Sequence, residues 1–222
     1  MGKVPIDRAK KSLYCMGIMS QKLAVLSPVT NDAAPIIEDG FPYAAKIGVV
    51  GTAPYLFHRW SVESVEAKSN AAKGSKSKKE DDIESYVYRD DKGNLAIPGE
   101  QFRMAIINAA KFKQDPRSPR KSAMDLFKAG IACLDPLCSL NTKNWDILDR
   151  RRVMVQRNGI TRTRPSMNAG WKCELQIQVL LPEYISLELL NEVIQNAGRL
   201  CGVGDFRPTY GRFQVVAISY MR

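Results

Sequence analysis

The 222-residue chain carries 33 Lys and Arg against 23 Asp and Glu, a formal charge of +10, and a single histidine. It is 45% hydrophobic, yet no stretch approaches the roughly 18 apolar residues of a membrane span, so a soluble cytoplasmic protein with no membrane partner and no secretory signal is expected. Five cysteines at irregular spacings, with no histidine near the Cys133 and Cys138 pair, match neither a disulfide framework nor a zinc site; no metal and no cofactor are expected.

Residues 1–40 are basic, then polar and Pro-containing, and read as an N-terminal arm; residues 41–222 read as one domain. Residues 43–60 form one strand or two short ones, interrupted near Gly51 and Pro54. At their end, LFHRWS sets His58 beside Arg59 and Trp60, residue types that stack on a base and pair with a phosphate. A lone histidine closing an apolar strand also suits a purely structural role. An insertion follows over 66–92, whose Lys, Ser and acidic composition cannot support a core. YVYRDDKGNLAI predicts a hairpin around Asp91–Asn94, and Pro98-Gly99 opens a helix with Phe102, Ala105, Ile106 and Ala109 on its core face. QDPRSPRKS reads as a loop and SAMDLFKAG as a short helix capped by Ser122, while 131–148 carries no readable pattern.

RRRVMVQRNGITRTRP, residues 150–165, has the densest charge. Asn158-Gly159 between β-prone flanks predicts a two-residue hairpin turn that sets Val155 opposite Arg162 and Val153 opposite Arg164. Arg151, Arg157, Arg162 and Arg164 then share a face, where four guanidinium groups repel one another unless an anion bridges them or they splay into solvent. Arg150 and Arg152 add to this ribbon. Residues 150–222 hold ten arginines and one lysine against five acids, and guanidinium both pairs with phosphate and stacks on bases.

WKCELQIQVLL alternates as a strand with Trp171, Cys173, Leu175, Ile177, Val179 and Leu181 on one face. Ser186 caps a helix striped by Leu187, Leu190, Val193, Ile194 and Ala197, with Gly198 at its close, and FQVVAISY is the last strand. Between them lies GVGDFRPTYGRF. Its Gly202–Gly204 backbone with Arg207 and Arg212 either clamps a phosphate, or the loop packs the helix on the last strand through Phe206, Pro208 and Tyr210. No Lys-Ser or Lys-Thr pair follows the glycines, which excludes a nucleotide-hydrolysing loop, and no Ser-His-Asp or Cys-His set can be assembled.

LAIPGEQFRMAIINAAK (95–111), followed in order by the glycine-rich loop, resembles the RAMP superfamily, the repeat-associated RNA-binding proteins of CRISPR effector complexes. LFHRWS paired with GVGDFRPTYGRF also resembles a class of phage and prophage proteins. The chain departs from the RAMP pattern in reading Pro-Gly-Glu-Gln where the family favours Pro-Gly-Ser-Ser, and in lacking a doubled glycine in the loop. The resemblance implies an α+β fold, a ferredoxin-like (RRM-like) antiparallel sheet backed by helices. Its elements would be strand 45–58, helix 99–112, a strand near 150–157, strand 171–181, helix 186–197 and strand 212–220. It also implies head-to-tail copies forming a homo-oligomer or filament, with other effector subunits as partners. The function expected is non-catalytic binding of single-stranded RNA or DNA, RNA first. Arg59, Trp60, Arg150, Arg151, Arg152, Arg157, Arg162, Arg164, Arg207 and Arg212 would carry it, with the backbone of Gly202 and Gly204. The alternatives are a metal-independent endoribonuclease using His58, and a phage structural or inhibitor protein whose basic face meets an acidic protein.

Overall fold

The computed structural model describes residues 41–62, 66, 70, 82–155 and 158–221; the expected arm, residues 67–69 and 71–81 of the insertion, and Arg157 lie outside them. β1 (Tyr43–Gly51) alternates buried Tyr43, Ala45, Ile47 and Val49 with half-exposed neighbours, the pattern of a strand covered on one side. It is the second strand of an antiparallel sheet ordered β12-β1-β11-β7, with β7 at Ile131–Cys133, β11 at Lys172–Val179 and β12 at Phe213–Met221. Helix α1 (Gly99–Ala110) lies between β1 and β7 in the chain, and α3 (Leu187–Asn196) lies between β11 and β12. Each crossover thus carries a helix, and both helices pack on the same sheet face. Phe102, Ile106, Leu190, Val193 and Ile194 fill the space above Ala45, Ile47, Val49, Leu175, Ile177 and Phe213. The opposite face presents Lys46, Glu174, Gln176, Gln178, Gln214 and Ser219, with Lys46 and Glu174 paired at 2.8 Å. None of these outward positions is aromatic.

The start of α1 shows why Pro98-Gly99 stands there. Pro98, at the N-cap, has no N–H to leave unsatisfied. A Cβ on Gly99 would lie 2.0 Å from the Asp135 carbonyl oxygen and 2.4 Å from Cys133 Sγ, so only glycine lets the helix start against the end of β7. At α3, Ser186 accepts the Leu189 N–H at 3.2 Å, the cap read from the sequence, worth about 1 kcal/mol.

Three smaller sheets surround this core. β2 (Tyr55–Leu56) joins β10 (Asn158–Met167) and β9 (Ile147–Val155) in one. β3 (Tyr88–Arg89), β4 (Leu95–Pro98) and β8 (Leu137–Ser139) form the second, closed by the expected Asp91–Asn94 hairpin. β5 (Gln114–Asp115) and β6 (Ser118–Ser122) form the third.

Several expectations are corrected. QDPRSPRKS is a β-hairpin rather than a loop, held at its turn by Asp115, whose Oδ1 accepts the Arg117 backbone N–H and pairs with its guanidinium. Ser122 therefore ends β6 and does not cap α2 (Met124–Gly130), which starts after Ala123 without a side-chain cap. α3 runs past Gly198 through a wide turn over Ala197–Cys201, and Gly202 ends it by donating its N–H to the Ala197 carbonyl. Gly198 is instead a packing residue, its missing Cβ leaving room for the Phe213 carbonyl. The strand expected near 150–157 belongs to the β2–β10–β9 sheet. The strand beside β11 is instead formed by the three residues Ile131–Cys133.

Candidate nucleic-acid interface

β9 and β10 form the arginine ribbon, but the reversal falls earlier than Asn158-Gly159 predicts. Asn158 is already a strand residue paired with Val155, and the register sets Arg162 opposite Arg151 and Arg164 opposite Asp149. The described residues that share a face are unchanged, since side chains alternate with period 2 and the shift is an even one. Their neighbours change, and with them their chemistry.

Arg164 is only 6% exposed and pairs with Asp205 of the glycine-rich loop, with the Phe206 ring centred 5.5 Å from its guanidinium. Arg151 is clamped as tightly. It forms a two-point pair with Asp149 at 2.6 and 2.7 Å, donates to the Tyr210 hydroxyl, and lies 4.7 Å from the Tyr210 ring and 5.6 Å from the Phe206 ring. Tyr210 in turn donates to Asp149 at 3.1 Å. Both arginines hold the loop against the ribbon, Arg164 buried and Arg151 with 39% of its side chain still exposed. A buried guanidinium needs a carboxylate, and that requirement outweighs the turn preference of Asn-Gly.

Two arginine groups remain open. Arg150 and Arg152 point to the other face of β9, and both are exposed. Arg162 is half-exposed on the loop-facing side, close enough to His58 to act on its protonation. Among the described residues no carboxylate pairs with Arg150, Arg152, Arg162, Arg207 or Arg212.

Aromatic rings gather at the rim, beyond β2. Trp60 is 70% exposed, His58 stacks on Tyr86 with centroids 5.7 Å apart, and Arg59 sits 5.7 Å from the centre of the Tyr88 ring. The Arg59 N–H donates to the Tyr86 carbonyl, which pins LFHRWS to the described end of the insertion. Partial burial, and then the positive charges of Arg164 and Arg162, hold His58 below its ordinary value, with Asp205 opposing. At neutral pH it is an uncharged ring.

The glycines of GVGDFRPTYGRF mainly let the loop approach the protein itself. The Gly202 N–H is used in ending α3. Gly204 has φ +80°, and a Cβ there would lie 2.6 Å from the Tyr55 ring. Gly211 donates to the Pro54 carbonyl and accepts from Val203, so the loop is tied to the 54–56 segment. Arg207 and Arg212, both exposed, flank the loop.

Sequence reasoning missed Asp149, Asp205, Tyr86 and Tyr88 as partners of the site. For the two acids a signal existed: two carboxylates beside an arginine excess are the obvious counter-charges. Among the described residues no cluster of His, Cys, Asp or Glu could hold a metal ion, and no helix is long and apolar enough to cross a membrane.

The fold is similar to that of a chain in the cryo-EM structure of the Type III-B Cmr-beta bound to cognate target RNA, at TM-score 0.50 and 8% identity. The likeness covers 82% of this chain, which spans 61% of the length of that one. No family model matches the sequence, and no curated protein sequence matches it.

Proposed function

We propose that the chain is a non-catalytic, single-stranded nucleic-acid-binding protein of the RAMP type, with RNA its preferred ligand, acting in the cytoplasm. The sheet order β12-β1-β11-β7, with helices in both crossovers, supports reading residues 41–222 as one ferredoxin-like domain. The likeness to a chain of an RNA-bound complex supports the same family and suggests other protein subunits, or further copies of this chain, as partners. One observation carries the functional reading. Arg150, Arg152 and Arg162, without carboxylate partners among the described residues, sit on a ribbon where Arg151 and Arg164 are neutralised, and the exposed Trp60 closely follows β2 in the chain. Backbone charge with a stacking ring and no base-edge code is how single strands are bound without strong sequence preference. The sheet face does not serve, because it offers no ring for stacking.

Anisotropy of a labelled 20-nucleotide RNA tests this. Changing Arg150, Arg152 and Arg162 together to Ala is expected to weaken binding at least tenfold, with the melting temperature unchanged. Equal affinity in the triple variant would sink the reading.

The ribonuclease alternative keeps one specific observation, a neutral His58 within electrostatic reach of Asp205 and two arginines. Metal-free cleavage of labelled RNA that disappears in His58→Ala, with binding retained, would establish it; uncleaved RNA under chelator removes it.

A further inference from the structure

An open depression of about 460 Å³ lies between the end of α1, the turn after α3 and the glycine-rich loop. Asn108 and Lys111 border it from the end of α1, Leu200 and Cys201 from the turn after α3, and Phe206 and Arg207 from the loop. Asp205 also lines it, its carboxylate already paired with Arg164. Lys111, Arg207 and Cys201 border the same depression, and while burial pushes the Cys201 thiol up, these two charges pull it down. Lys111 also sits 4.8 Å from the Phe112 ring and makes no ion pair among the described residues.

Each wall has a different chemistry. Lys111 and Arg207 supply two positive charges without carboxylate partners among the described residues. Phe206 is 42% exposed although its other ring contacts hold Arg151 and Arg164, and Leu200 is also exposed, so a flat apolar ligand has a surface to cover. Asn108 offers a donor and an acceptor together. Phe206 also has φ +54°, a left-handed backbone unusual for a residue of its size, and that conformation places its ring between ribbon and depression. Strain of this kind at a ligand-facing residue is expected where position matters more than stability.

We propose that this depression is a subsite for one nucleotide of the bound strand, its phosphate between Lys111 and Arg207 and its base against Phe206. The inference rests on the single-strand-binding reading above and extends the strand's path from the ribbon, across Phe206, to the helical face. A cation pair beside an exposed ring and an amide is the combination that recognises a nucleotide and not a bare anion, since phosphate alone would have no use for the ring.

Cys201 makes the test direct. The full-length protein is treated with N-ethylmaleimide with and without a saturating 20-nucleotide RNA, and modification of each cysteine is followed by peptide mass spectrometry. The expected result is at least tenfold slower modification of Cys201 in the complex, with Cys133, beside the opposite end of α1, unchanged. A second measurement does not depend on thiol chemistry. Lys111→Ala with Arg207→Ala, both surface changes, is expected to reduce the log–log salt slope of RNA binding by about 0.7, the value for one phosphate contact on a single strand. RNA that binds with Cys201 equally reactive and the double variant's slope unchanged overturns the subsite and leaves the ribbon reading standing. RNA that does not bind at all overturns both.

Discussion

Removing the Asp205 carboxylate is the sharpest perturbation of this architecture. Arg164 is 6% exposed and lies beneath Phe206, and Asp205 is its ion-pair partner. In Asp205→Ala the guanidinium keeps its burial and loses its counter-charge, a change that costs about 3–5 kcal/mol. The Asp205 side chain retains 30% of its surface in contact with water, so solvent enters part of the vacated space and the lower end, about 3 kcal/mol, is expected. For a domain of this size that corresponds to a melting temperature lower by roughly 6–12 °C. Arg164→Met alone leaves a partly hydrated carboxylate and costs less. The double variant, with an apolar chain of similar length beneath Phe206, is expected within about 1 kcal/mol of wild type. Urea unfolding of the four proteins completes the cycle. A loss below about 1 kcal/mol in Asp205→Ala, or a double variant that shows the sum of the single losses, would refute the claim that this pair fastens the loop to the ribbon. Because Arg164 is enclosed, the double variant is also expected to keep the wild-type salt slope for RNA.

Trp60→Ala removes a largely exposed ring, so RNA affinity should fall by about 1–3 kcal/mol while the unfolding midpoint stays in place; equal affinity would take Trp60 out of the interface. Gly211→Ala puts a Cβ 1.7 Å from the Val203 carbonyl oxygen at φ +70°, and a loss beyond about 4 kcal/mol, or failure to accumulate in soluble form, is expected. A variant melting within about 2 °C of wild type would contradict the loop geometry. The folded pKa of His58 lies below its ordinary 6.5, so the unfolded chain takes up the proton first. Its contribution to stability is therefore full above pH 6.5, falls as pH drops below that value, and levels off beneath the folded pKa. The imidazole NMR titration should have its midpoint under 6.5 and His58→Gln should flatten that part of the stability profile; a midpoint at or above 6.5 would contradict the placement of Arg164 and Arg162 around the ring.

The long elements were legible because their signals are local. The alternation in β11, the Ser186 cap and the apolar stripe of α3 each lie within a dozen residues, and each appears in the structure as read. β7 was not legible, since Ile131–Cys133 is too short to show a period and becomes a strand only by pairing with β11. The ribbon's register was hidden for a related reason. Asn158-Gly159 is a strong local turn signal, but the deciding contacts join Arg164 to Asp205 and Arg151 to Tyr210 across long stretches of chain. The same long-range pairs sort the arginines. Composition treats Arg150, Arg151, Arg152, Arg162 and Arg164 alike, and only the fold separates the two that bind the protein's own carboxylates from the three that no described carboxylate pairs.

Binding of the purified protein to labelled RNA and to single-stranded DNA of the same sequence, at about 50 and about 200 mM salt, bears on the central claim most directly. With about five unpaired cations meeting phosphates, the log–log slope is expected near −3.5, roughly a hundredfold loss of affinity over that range, with RNA bound at least as tightly as DNA. No saturable binding at the lower salt, or a slope near zero, would contradict it.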